Sequence, residues 1–268
     1  MLKTVKGVVL REVDIGDYDK MLTVLTAEQG RISIFANGVK RLKSPHFVAT
    51  QLYTYSEFTL YGSRDKYYIR ECTKIESFFG LRDTLPSLAL AAYIAEIACD
   101  VSLEEQEEDT LLRLVLNSFY CIAKSSKPLD LIKAAFELRV LGEIGFMPDL
   151  VGCADCGKSD FETYFFDVEG GTFRCDDCFH RAEPGFEASL NRQNENEGIY
   201  SGSRLIIPLS RSVFVAMRYV LYCKPERLFA FELKDEAQAE FYSVCEKYLI
   251  TRLERNFASL DFYKSVKQ

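Results

Sequence analysis

"GCADCGKS", residues 152–159, satisfies two patterns of incompatible meaning. As G-x-x-x-x-G-K-[ST] it is a loop that cradles nucleotide phosphates; as C-x-x-C it is half of a metal knuckle. The flanks decide between them. A phosphate loop needs a strand in front and a helix N-terminus directly behind. Here "GFMPDLV" precedes, with Pro148 inside it, and "DFETYFFDVEGGTF" follows, aromatic and β-like, with Gly170 and Gly171 stopping any helix. No nucleotide is expected at this loop.

The metal reading has support further along. Cys153-x-x-Cys156 is followed, after 18 intervening residues, by Cys175-x-x-Cys178. Each pair is a short turn that aims two sulfurs at one point, and the aromatic segment between them supplies a hairpin that joins the pairs. Four protein ligands leave no open position for water, so the site is expected to be structural, with one Zn²⁺ per chain. Four sulfurs also suit iron. His180, just beyond Cys178, is expected to be an ordinary surface histidine. The remaining cysteines (Cys72, Cys99, Cys121, Cys223, Cys245) stand singly in apolar segments, as small buried hydrophobes do. An odd total of nine, with one metal quartet, suits a reducing compartment and not a disulfide framework.

Upstream, residues 4–79 read as strands. "VKGVVLREV", "KMLTVLTAEQG", "RISIFANGV", "QLYTYSEFTLYG" and "KYYIRECTKIESFF" are rich in Val, Ile, Thr, Tyr and Phe, with turn residues between them. Gly30 sits in a tight turn and "YGSRDKYY" is a second hairpin signal. Five strands in so short a span suit a small barrel, OB-type by preference, with an SH3-like barrel left open by the pattern. From residue 85 the apolar period becomes helical: 85–103, 109–125 and 128–146, with Pro86 and Pro128 in first turns and Gly142 or Gly145 as a stop. The acidic run Glu104–Asp109 reads as a solvated loop leading into a helix. Residues 190–202, "LNRQNENEGIYSG", carry no periodicity and read as a loop; helices resume at 210 with Ser210 or Ser212 as cap. The domain expectation is a barrel over 1–80 and a helical domain over 81–268 carrying a zinc-binding insert at 148–183. The helices on either side of the insert are expected to share one core, with the insert as a knob upon it.

Charge is distributed unevenly. The chain as a whole carries −7, but residues 1–82 hold 13 Lys+Arg against 9 Asp+Glu. A basic reading head on an acidic body is the implication. "ANGVKRLKSPHF" (36–47) places Lys40, Arg41 and Lys43 between the third and fourth strands, and Lys20, Arg31, Arg64, Lys66 and Arg70 add charge on strands and hairpins. Tyr53, Tyr55, Tyr61, Tyr67 and Tyr68 lie among them, about half expected in the core. Cations interleaved with aromatics are how single-stranded nucleic acid is held without regard to sequence. Catalytic constellations are missing: only His46 and His180 exist, and no G-x-S-x-G, H-E-x-x-H or G-x-G-x-x-G occurs. No enzyme is expected. Nor is a membrane partner, since no apolar run reaches the ~18 residues of a span and the N-terminus lacks an apolar leader. A cytoplasmic protein follows.

The order of parts resembles the bacterial DNA repair and recombination mediator family RecO. The resemblance runs nearly end to end, from "VKGVVLREVDIGDYDKMLTVLT" to the last helix, and is most specific in the G-F-x-P-x-L-x-x-C-x-x-C-G run. It implies an OB-fold domain, a helical domain, and zinc held by Cys153, Cys156, Cys175 and Cys178. It also implies binding of single- and double-stranded DNA, ATP-independent annealing, and a nucleoid-associated role in exchanging single-stranded-DNA-binding protein for the recombinase RecA. The implied protein partners are RecR and the C-terminal tail of single-stranded-DNA-binding protein. Lys40, Arg41, Lys43 and Ser44 match the family's basic loop; Pro45 and His46 stand where relatives often place more positive charge. The alternative is a protein-interaction adaptor with little DNA affinity of its own.

Overall fold

The computed structural model describes residues 2–63, 66–183, 199–201 and 204–267. Five strands, β1 (Leu2–Ile15), β2 (Asp19–Thr26), β3 (Gly30–Ala36), β4 (Tyr55–Ser63) and β5 (Lys66–Glu76), close into a barrel in the order β1-β2-β3-β5-β4. The helices in chain order are α1 (Leu85–Val101), α2 (Asp109–Ala123), α3 (Leu129–Glu143), α4 (Asp176–Ala182), α5 (Arg211–Tyr222), α6 (Asp235–Leu253) and α7 (Ala258–Val266). None in the described residues is long and apolar enough to cross a membrane.

The barrel follows from alternation. Leu22 and Val24 on β2, and Ile32, Ile34 and Ala36 on β3, fall on one face and meet Val5, Val9, Phe58 and Leu60 in a closed apolar core. β1 serves two partners: Leu2–Val8 pair with β4 and Gly7–Ile15 with β2. A bulge between Val9 and Arg11 bends it from one to the other. Closure comes from β3 lying parallel to β5, with Ile34 opposite Tyr67 and Phe35 opposite Tyr68. That is the OB-type arrangement, which decides the choice the strand pattern left open.

The acidic run between α1 and α2 is not a free loop. Leu103 accepts a hydrogen bond from the Arg31 N–H, and the N–H groups of Glu105 and Glu108 reach the carbonyls of Gln29 and Ala27. Gly30, at φ +59°, makes this docking possible: a Cβ there would stand 2.0 Å from the Leu103 oxygen. Around this barrel α1 begins at a Thr84 cap, whose Oγ1 accepts from the Ser87 N–H, and packs against α7 through Tyr93 on Phe257.

The helices therefore do not share a single core, and the compact units do not follow the 1–80 and 81–268 limits. One unit is Met1–Leu129 with Phe257–Gln268; the other is Asp130–Asn256. The reason is that α1, α2 and α7 stay with the barrel, while α3 finds its partners in α5 and α6. The Arg139 guanidinium donates to the carbonyls of Val220, Leu221 and Cys223, satisfying the end of α5. Lys133 on α3 lies 2.9 Å from Glu137 and 2.8 Å from Glu246 of α6. Burial works against its charge, but the two carboxylates prevail and raise its pKa.

The second unit also holds a sheet of order β7-β6-β9-β8, built from β6 (Thr163–Asp167), β7 (Thr172–Cys175), β8 (Ile199–Ser201) and β9 (Arg204–Ser210). β6 and β7 are the hairpin expected between the cysteine pairs. β9 pairs with β6, Phe166 opposite Ile207, so the cysteine-bearing segment is stitched into the unit by a sheet and is not a knob upon it. Most of 190–202 lies outside the described residues; its end forms β8. Ser210 caps α5 as anticipated by position, but its hydroxyl donates to Glu240 instead of the helix.

Candidate metal centre and nucleic-acid interface

The four cysteines converge. Their sulfurs all lie within 4.8 Å of one another, Cys156 the exposed one and the other three buried. Tetrahedral zinc with Zn–S near 2.3 Å separates its sulfurs by roughly 3.8 Å; Cys156 Sγ and Cys175 Sγ are 3.8 Å apart. The donor set and its spacing fit the metal. The first pair rides on a turn closed by Gly157 N–H on the Cys153 carbonyl and by Cys153 N–H on Lys158. Gly157 takes φ +72° to complete it. The second pair spans the end of β7 and the first turn of α4, and the Ala154 N–H on the Phe173 carbonyl ties the two halves together. After Ser159 the chain runs without helix to β6, so Lys158 has no helix N-terminus behind it.

Four sulfurs this close cannot all ionise by themselves. Burial opposes ionisation of Cys153, but N–H groups of Cys175, Cys156 and Asp155 outweigh it and hold the thiol down to about 6. Cys178 is pushed up to about 12, first by its hydrogen bond with Cys175 and then by burial. A dication removes the mutual repulsion and draws all four into thiolate form. His180 stands aside, its Nδ1 3.0 Å from the Asp176 carbonyl.

The structure sorts the basic residues. Lys20 is buried and paired with Glu12 at 2.8 Å. Arg31 donates to the Cys99 carbonyl and lies 3.5 Å from Glu104, so it fastens the α1–α2 connection to the barrel. Lys40 is 2.7 Å from Asp14, whose carboxyl that ammonium's hydrogen bond holds below the ordinary range. Arg64 lies outside the described residues. Arg41, Lys43, Lys66 and Arg70 are exposed, and none of them makes an ion pair among the described residues. Arg41 lies over the Tyr18 ring, 5.2 Å from its centre. The connection that carries it is well pinned: Gly38 N–H donates to Asp19, Lys40 N–H to Tyr18, and Thr50 Oγ1 to His46. Of the tyrosines, Tyr53 and Tyr67 are buried, Tyr55 and Tyr68 half-buried and Tyr61 exposed. Sequence reasoning passed over Phe35. Its signal was there, an aromatic on the polar face of an alternating strand.

Two family models match, one over the barrel and one over the residues that follow it. Residues 1–78 match the family model "Recombination protein O N terminal" and residues 82–194 match "Recombination protein O C terminal". A DNA repair protein RecO of Acetivibrio thermocellus is 34% identical over 99% of this chain and 97% of its own length. Proteins of the same name from Alkaliphilus metalliredigens and Bacillus subtilis are each 28% identical, over 99% and 92% of this chain and 100% and 88% of theirs. With the barrel, the cysteine cluster and likeness along the whole chain in agreement, the protein belongs to the RecO family.

Proposed function

We propose that this protein acts in DNA repair and recombination as a mediator that binds single- and double-stranded DNA through its barrel. It anneals complementary strands without a nucleotide and helps load recombinase onto DNA coated by single-stranded-DNA-binding protein. The observation that carries this reading is the set of exposed cations without ion pairs among the described residues, Arg41, Lys43, Lys66 and Arg70, left on the barrel once Lys20, Arg31 and Lys40 are taken up by carboxylates. Cations in fixed positions neutralise phosphate, release counterions and let two backbones approach. No bond is made or broken, so the reading assigns no catalytic residue. RecR and the C-terminal tail of single-stranded-DNA-binding protein are the proposed protein partners, and the cytoplasm, on the nucleoid, the proposed location.

The metal proposed at Cys153, Cys156, Cys175 and Cys178 is zinc in a structural role. When bound it supplies charge balance for four thiolates and a cross-link between the 152–158 turn and α4. Annealing of complementary oligonucleotides coated with single-stranded-DNA-binding protein, without ATP, tests the function. Fast annealing that is lost on replacing Arg41, Lys43 and Lys66 with Ala supports it. A folded, metal-loaded protein that neither anneals nor binds DNA leaves the adaptor reading in its place.

A further inference from the structure

An apolar row crosses the outside of the barrel. Register places Met21 of β2 opposite Phe35 of β3, Phe35 opposite Tyr68 of β5, and Tyr68 opposite Tyr61 of β4. The four side chains therefore line up across four neighbouring strands, a span of roughly 15 Å at the usual strand spacing. Tyr61 and Tyr68 stack with centres 5.3 Å apart and planes 20° from parallel, and Phe35 meets Tyr68 edge-on at 5.8 Å. Lys66 holds its ammonium 5.5 Å from the Tyr68 centre and 5.9 Å from that of Phe35. These rings are not core: the barrel interior is filled from the other face of the same strands, and Tyr61 remains 44% exposed.

We infer that this row is a stacking platform for the bases of single-stranded DNA, with Lys66 and Arg70 beside it to meet the backbone. The inference rests on the proposed DNA-binding function and assigns its base-contacting part. Every base has a π-face, so aromatic rings on the outside of a sheet hold bases without reading sequence. Sheet aromatics of this kind accommodate two or three bases. A duplex keeps its faces stacked internally and cannot use the row, so the platform favours the separated strands from which annealing starts.

The test compares an oligo-dT with an abasic strand of equal length, bound by the full-length protein at low salt and read by anisotropy. The wild type is expected to bind oligo-dT about tenfold more tightly than the abasic strand. Tyr61→Ala with Tyr68→Ala should erase that preference while leaving abasic binding and its salt slope unchanged; Tyr61→Phe with Tyr68→Phe should keep it. Arg41→Ala with Lys43→Ala should weaken both strands alike. The chain has no Trp, so Tyr61→Trp provides a sole indole whose emission oligo-dT, and not the abasic strand, should quench. Equal wild-type affinity for both strands, or a preference that survives the Ala pair, overturns the platform while leaving DNA binding in place. Loss of both affinities together with a lowered melting temperature in the Ala pair also overturns it, since the rings then serve the barrel. Failure of the wild type to bind either strand overturns the DNA-binding function and the platform with it.

Discussion

The barrel and the cysteine cluster hold themselves together by opposite means. The barrel closes every strand on a neighbour and fills its interior with Val, Leu, Ile and Phe, so apolar burial stabilises it without help. Among the described residues, the cysteine cluster has three buried thiols with the partly buried Phe161 packed against them. So small an apolar cluster cannot offset the entropy of ordering two turns, a place that the proposed zinc would fill. Polar groups follow the same contrast. On the barrel, Lys40 pairs with an exposed Asp14, whereas Lys133 is enclosed with Glu137 and Glu246 in a helical core. One region tolerates loss of a charge; the other does not.

Metal removal should break the comparison most sharply. Structural zinc contributes on the order of 10 kcal/mol in small zinc modules. Chelation, or Cys153→Ser or Cys175→Ser, is therefore expected to abolish hydrogen-exchange protection around residues 150–180 while β1–β5 keep theirs. One zinc per chain should be released; retained metal and unchanged protection in the Ser variants would rule the structural role out. Next in size is Lys133→Met, which leaves two carboxylates enclosed and should cost about 3–5 kcal/mol in urea unfolding. Because the folded pKa of Lys133 is raised, its contribution is fully present below the unfolded value near 10.4 and fades as pH rises through the folded value. The wild type should thus lose stability above about pH 10.4 more steeply than Lys133→Met; parallel profiles would contradict the pairing.

Gly30→Ala should cost upwards of about 1 kcal/mol, from a forced positive φ and the displaced Leu103 carbonyl. A neutral effect on the melting temperature would mean that the acidic run is not docked on the β2–β3 turn. The smallest effects belong to the barrel surface. Arg41→Ala with Lys43→Ala should leave stability within about 0.5 kcal/mol yet reduce the slope of log affinity against log salt by about 2. Asp14→Asn should do the reverse, freeing Lys40 and steepening that slope by about 1. Unaltered slopes in both variants would move the DNA contact to another face.

The features legible in the sequence are those with local causes. The five strands announced themselves through alternation, and α1, α2 and α3 fell within a few residues of their periodic segments because Pro86, Thr84 and Gly145 punctuate them. β9 was missed: "RLIIPLS" has buried Leu205, Ile206 and Ile207 in succession and Pro208 inside it, so neither alternation nor composition marks a strand. Its ladder partners are β6, some forty residues away, and β8, and those pairings make it a strand. The basic residues show the same limit. Lys20, Arg31, Lys40 and Arg41 look equivalent as letters, but Glu12, Glu104 and Asp14 occupy three of them and leave the fourth stacked on Tyr18.

What the amino-acid sequence by itself determined is the barrel-then-helices order, the absence of a helix behind the 152–159 loop, and the four cysteines that come together. Each depends on residues within a turn or two of one another, or on a spacing that a metal imposes. Only the tertiary structure decided which helices join which core, which cations remain exposed without ion pairs, and that Phe35, Tyr68 and Tyr61 form one row. Those outcomes depend on register and on long-range pairing, where one residue of slip exchanges the inner face of a strand for the outer.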